Sequence, residues 1–152
     1  MEITISLEAI LKQKGYVKIP FALSKTNHLL IKASINKKKG IFILDTGASN
    51  SCIDFSDIDF FDLKAVDSNH LATGAGSNEM PTKLSHENEI KIGKWSIHDH
   101  TIIAMDLSHV NYALKQFKAK PVKGILGADI LMAGEALIDY ANSFLYLKRG
   151  LT

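Results

Sequence analysis

The pattern of apolar and polar positions predicts short strands for most of this chain and helices in three places. Leu7, Ile10 and Leu11 fall at helical spacing behind Ser6, a candidate cap, and Gly15 ends the pattern. Residues 6–14 are therefore expected to form a short amphipathic helix. Tyr16 to Leu23 and Leu29 to Ile35 read as strands around a turn at Ser24 to Asn27, with Asn36 to Gly40 as the turn into a third. These three strands, joined by short links, predict an antiparallel meander. The third, Ile41 to Leu44, is continuously apolar and too short for an ordinary helix, so it is read as buried. Ser49 to Ile53 is a further strand, followed by an acidic loop from Asp54 to Asp62. Val66 to Ala72 and Glu79 to Leu84 form a hairpin around a glycine-bearing tip. Glu89 to Ile92 and Ser96 to Met105 are strands joined by Gly93 and Lys94. Leu107, Val110, Leu114 and Phe117 predict a helix over 107–118 behind Asp106. Val122 to Leu131 reads as a strand running into a short helix, and Ala136 to Tyr140 and Ser143 to Leu147 as the last two strands.

Size and composition then narrow the classes. The 152 residues suffice for one domain with a core but not for two full lobes, and 46% hydrophobic with 22% charged residues fits a globular chain. We expect an N-terminal amphipathic helical extension over residues 1–15 and a single domain over 16–152. Net charge is +2, and the basic run Lys37-Lys38-Lys39 sits at a turn, so no nucleic-acid partner is expected. No apolar run approaches the thickness of a bilayer, and the N-terminus lacks the basic start and apolar core of a secretory signal, so no membrane partner is expected either. One cysteine, Cys52, excludes an internal disulfide and suits a reducing compartment, which points to the cytoplasm. Its expected role is that of a small buried hydrophobe.

Candidate chemistry centres on the end of the third strand. Ile41 to Leu44 leads into Asp45, then Thr46 and Gly47, where glycine permits a tight turn. A carboxylate at the end of a buried strand costs desolvation energy unless donors surround it. Such an aspartate is either a turn former or a reactive group, and the segment by itself leaves both open. Phosphoryl chemistry would want a second acid two residues on, where Gly47 stands. Elsewhere, Gly74 and Gly76 do not make a phosphate cradle, because no lysine follows in register and no helix pattern follows the tip. The four aspartates between 54 and 62 lack the glycine and terminal glutamate of a calcium loop. His98 and His100 are expected on one face of their strand, with His86 and His109 as further candidates. Zinc needs three or four organised ligands, so they read as exposed strand histidines, and neither metal nor other cofactor is expected.

Three motifs in order carry a resemblance. Asp45-Thr46-Gly47-Ala48 after an apolar strand, a hairpin tip at Thr73-Gly74-Ala75-Gly76, and Gly124-Ile125-Leu126-Gly127 near the C-terminus resemble the retropepsin-like aspartic proteases. The closing Leu137-Ile138-Asp139-Tyr140 and Phe144-Leu145-Tyr146-Leu147 look like the cellular and bacterial members. The likeness covers about residues 17–148. It implies a mostly β chain in the closed antiparallel acid-protease fold, with two or three short helices. It also implies that Asp45 is the catalytic carboxylate, that Thr46 ties two active-site loops together through its hydroxyl, and that Gly47 lets backbone amides approach the carboxylate. Thr73 to Gly76 would be a flap closing over a peptide or protein substrate, and Gly124, Ile125, Leu126 and Gly127 would pack behind the active-site loop.

The chemistry so implied needs two carboxyl groups sharing one proton, one to activate water and one to polarise the scissile carbonyl. The chain has one Asp-Thr-Gly, so the second is expected from Asp45 of another copy in a homodimer. Asp139, in a segment that echoes the one around Asp45, lacks the Thr-Gly turn and reads as a turn former. Asp129 reads as the early-turn acid of a short helix. At position 48, pepsin-type enzymes often carry a hydroxyl that favours the charged aspartate; Ala48 removes it, so activity is expected nearer neutral pH. The expected function is an aspartic endopeptidase, and the alternative is a dimeric peptide-binding module with little or no catalysis. An intact Asp-Thr-Gly favours the enzyme.

Overall fold

The computed structural model describes residues 5–73 and 79–150. Helix α1 (Leu7–Gln13) starts where the Ala9 amide donates to Ser6 Oγ at 3.0 Å, and it buries Leu11 while Leu7 and Ile10 stay exposed. Strand β1 (Tyr16–Pro20) does not run on to Leu23 as expected. Pro20 has no amide hydrogen to continue a ladder, and the chain changes sheets there. β1 pairs with the last strand, β11 (Phe144–Lys148), whereas β2 (Ala22–Leu23) pairs with β3 (Leu29–Ile35). The meander is therefore β2, β3 and β4 (Lys38–Leu44). Asn36 and Lys37, at φ 50° and 71°, make a two-residue turn, so Lys38 to Gly40 join the strand rather than the loop.

After β5 (Cys52–Asp54) the acidic segment makes a 3-10 turn at Phe55–Asp57 and drives Phe61 fully into the core, so it is less of a solvated loop than its aspartates suggested. β6 (Ala65–Thr73) pairs with β7 (Glu79–Ile92), one strand of 14 residues where the sequence suggested two. The polar stretch Ser85 to Asn88 reads as a break because His86 and Glu87 are exposed at a register shift, yet Ser85 and Asn88 at its ends are buried and the strand runs on. Asn88 Nδ2 donates to Ser85 O, and Asn36 Nδ2 donates to Asn88 Oδ1, both at 2.9 Å. Buried polar side chains are tolerated when partnered in this way. β8 (Trp95–Met105), α2 (Ser108–Gln116), β9 (Gly124–Leu126), α3 (Ala128–Ala133) and β10 (Leu137–Asp139) complete the chain.

The large sheet runs β2-β3-β4-β9-β5-β8-β7-β6, and a further pairing of β3 with β7 closes six of these strands into a ring. Most pairings are antiparallel as expected, but β4–β9 and β5–β8 are parallel. Three residues of β9 thus lie between two strands drawn from residues 38–54. Phe42, Ile53, Phe61, Ile90, Ile102 and Ile130 fill the interior. Outside the ring, Leu114 of α2 and Val122 cover Ile43. The fold is mostly β with three short helices, and among the described residues no helix is long and apolar enough to cross a membrane.

Candidate active site

The site is built from the strand that ends in Asp45. Phe42, Ile43 and Leu44 are buried, and β4 pairs with β9 in the register Phe42 with Gly124 and Leu44 with Leu126. The Asp45 amide extends that ladder by donating to Leu126 O at 2.9 Å. Immediately beyond, the chain turns. Gly47 N donates to Asp45 Oδ1 at 2.8 Å, and Ala48 N donates to Asp45 O at 3.2 Å. A β-carbon at Gly47 would lie 3.2 Å from Asp45 Oδ1, so glycine here provides close approach of an amide to the carboxylate. Asp45 is half-buried, while Thr46 and Gly47 are exposed. Among the described residues the Thr46 hydroxyl has no partner, and no second carboxylate hydrogen-bonds to Asp45.

Behind the turn the packing is tight. A β-carbon on Gly124 would lie 2.3 Å from Cys52 O, and one on Gly127 would lie 2.5 Å from Ala48 O. Both obstacles are backbone, so neither position admits a side chain without moving the loop. Ala128 N donates to Ala48 O at 2.7 Å. Gly124, Leu126 and Gly127 are buried and Ile125 half-buried. Thr73 is the last residue of β6, opposite Glu79 in β7. Gly74, Ala75 and Gly76, the rest of the expected flap, lie outside the described residues.

A cluster that the sequence did not reveal locks the loop's far end. Ser51 N and Ser51 Oγ both donate to the Asp129 carboxylate, at 3.0 and 2.8 Å, and Gly127 N donates to Ser51 Oγ at 2.9 Å. His100 Nε2 donates to Asp129 Oδ2 at 2.7 Å. Burial pushes the Asp129 carboxyl up, but the donors from His100 and Ser51 outweigh it and hold the group below its ordinary value. Asp129 does stand in the first turn of α3, as expected, yet its work is to brace Ser51. The trio is not a nucleophilic triad, since the Ser51 hydroxyl donates to the carboxylate and not to the imidazole.

His98 and His100 do not share a face. Asp99 has φ 54°, the β7–β8 register is irregular there, and the phase of burial slips by one between Ile97 and His100. The His98 side chain is 66% exposed beside Glu89, whereas that of His100 is 15% exposed. His100 is therefore not the exposed strand histidine that alternation suggested. Among the described residues no three His, Cys, Asp or Glu side chains converge as a metal site. Cys52 is buried, and burial pushes its thiol up to about 12, so it is not a nucleophile. Asp139 accepts from Asn142 N and Nδ2 at 3.1 and 3.0 Å, the geometry of a turn former.

The arrangement can be compared with known proteins. A family model described as aspartyl protease matches residues 31–130, which include the Asp45 loop, both sides of its support and Asp129. The chain belongs to the aspartyl protease family. Among solved structures, this family member is similar to a retropepsin-like aspartic protease from Rickettsia conorii, with TM-score 0.59 and 20% identity over 88% of this chain and 92% of that one. It is also similar to the retroviral protease-like domain of Ddi1 from Leishmania major, with TM-score 0.54 and 17% identity over 79% and 87% of the two chains. The EIAV protease in complex with an inhibitor gives 0.50 and 21% over 73% and 91%. These likenesses establish the retropepsin-like fold. None of the curated proteins matches the sequence.

Proposed function

We propose that the protein is an aspartic endopeptidase whose site is completed when two copies bring their Asp45 residues together. The observation that carries this reading is the Asp45 carboxylate itself, half-buried and held by the Gly47 amide at the open front of a loop whose rear is fully bonded. A carboxyl pair at close range shares one proton. The ionised member takes a proton from water while the protonated member polarises the peptide carbonyl, so no covalent intermediate is needed. Thr46, exposed and without a partner among the described residues, is suited to bond across the twofold axis. Ala48, Gly124, Ile125, Leu126 and Gly127 hold the loop in place, and Thr73 to Gly76 close over a peptide bound as an added strand. Among the described residues β10 is an edge strand, and the exposed Leu137 in it and Tyr140 just after it support self-association.

The test compares wild type and Asp45→Asn against a diverse peptide library, with solution mass measured alongside. We expect cleavage by a dimer and a loss of roughly 10²–10⁴-fold in the variant, with the fold unchanged. Cleavage that survives the substitution removes the proposed chemistry. A wild type that binds peptides and never cleaves them leaves the binding module.

A further inference from the structure

The outer face of the β3–β4 pair is covered at one end and bare at the other. Near Asp45, Leu30, Ile41 and Ile43 pack beneath Leu114 and Val122. Near the Asn36–Lys37 turn, an open groove of about 710 Å³ is lined by Lys32, Ser34, Lys39, Ile41 and Lys91. The strand register explains why three lysines meet there. Ser34 is paired directly with Lys39 of β4 on one side and with Lys91 of β7 on the other. Paired residues share a face, and Lys32, two positions before Ser34, joins them. Ordinary strand spacing sets the Cα atoms of Lys39 and Lys91 roughly 10 Å apart across Ser34.

Among the described residues none of these lysines forms an ion pair, and no carboxylate lines the groove. Three like charges therefore face a shared concavity, where low-dielectric walls concentrate their field. We propose that this groove binds an acidic, extended peptide segment of a protein partner. One carboxylate of the segment sits over the Ser34 hydroxyl between Lys39 and Lys91, and a second, two residues along, reaches Lys32. The fit follows from period: alternate residues of an extended peptide and alternate residues of β3 advance by the same roughly 6.6 Å. Nucleic acid is a poorer match, because no aromatic side chain lines the groove for base stacking and three cations contact few phosphates. Lys39 and Asp45 lie at opposite ends of β4, about 20 Å apart, so the occupant is anchored outside the Asp45 cleft. The site stands whether or not Asp45 hydrolyses peptides.

The experiment measures fluorescence anisotropy of a short dye-labelled peptide alternating Glu and Val, titrated at low salt with the full chain carrying Asp45→Asn so that no probe is cleaved. We expect saturable binding, weakened about tenfold by Lys39→Glu with Lys91→Glu and severalfold by Lys32→Glu. Lys12→Glu with Lys64→Glu, both exposed and neither lining the groove, should leave it unchanged. Circular dichroism checks that each variant folds, and Lys39→Gln with Lys91→Gln replaces the reversal if it unfolds. Absence of binding, equal loss from both lysine pairs, or tighter binding of a short single-stranded RNA overturns the proposal.

Discussion

The loop from Asp45 to Ser51 has a rear and a front built on opposite principles. At the rear, its backbone and the Ser51 hydroxyl bond to Leu126, Gly127, Ala128 and Asp129, and two glycines let the strands approach to backbone contact. At the front, Thr46 and Gly47 face solvent, and among the described residues only the Asp45 carboxylate bonds to either of them. A loop merely closing a turn would have no reason for such a contrast. The rear fixes the carboxylate's position at the expense of ordinary loop freedom, and the front leaves the turn at Thr46 and Gly47 open to solvent. Rigidity and incompleteness are thus assigned to different atoms of one short segment.

Substitutions at the rear should act on folding, and those at the front on association and turnover. The largest effect is expected from Gly124→Ala, whose methyl would overlap Cys52 O. A loss of about 3 kcal/mol or more in urea unfolding is expected, and an unchanged midpoint would show that the strands are not in contact there. Asp129→Ala comes next, since it strands the Ser51 amide, the Ser51 hydroxyl and His100 without their acceptor. It should cost roughly 2 kcal/mol. The same residue predicts a pH dependence. Its folded-state carboxyl sits below the ordinary value, so the unfolded chain binds more protons in acid. The stability it contributes is present above about pH 4 and is lost as pH falls further. Urea midpoints of wild type and Asp129→Asn should therefore converge in strong acid; curves that stay parallel down to about pH 2 would contradict this. The smallest effect on the chain itself belongs to Thr46→Ala, within about 0.5 kcal/mol because the side chain is exposed. Sedimentation on dilution should nevertheless show weaker self-association, and an unaltered dimer would break the comparison between front and rear.

What the sequence made legible follows the same division between local and distant causes. The buried strand, the turn at Gly47 and the two glycines of the Gly124–Gly127 segment are marked by residue type within a few positions, so they could be read directly. Ser51, Asp129 and His100 carry no such mark. Their contacts join residues 78 and 29 positions apart, and each side chain alone suits a turn, a helix start or a surface strand. The paired fate assigned to His98 and His100 failed because alternation holds only along a regular strand, and Asp99 breaks it. The polar residues 85–88 suggest an end to β7, but Ser85 and Asn88 are buried there, where Asn88 bonds to Ser85 and Asn36 and carries the strand across the irregularity. The split of β1 from β2 falls at Pro20, whose missing amide hydrogen counts for more than the apolar residues on either side of it.

The position of β9 has a consequence for how the molecule comes into being. Its three residues complete hydrogen-bond ladders with β4 and β5, which are made much earlier on the ribosome. Until that segment emerges, the residue 45 turn has no backing and cannot be held in shape. Such distant pairing belongs to folds that form in milliseconds to seconds rather than microseconds. A nascent chain thus gains the final shape of that turn only after residues 124–126 have been made.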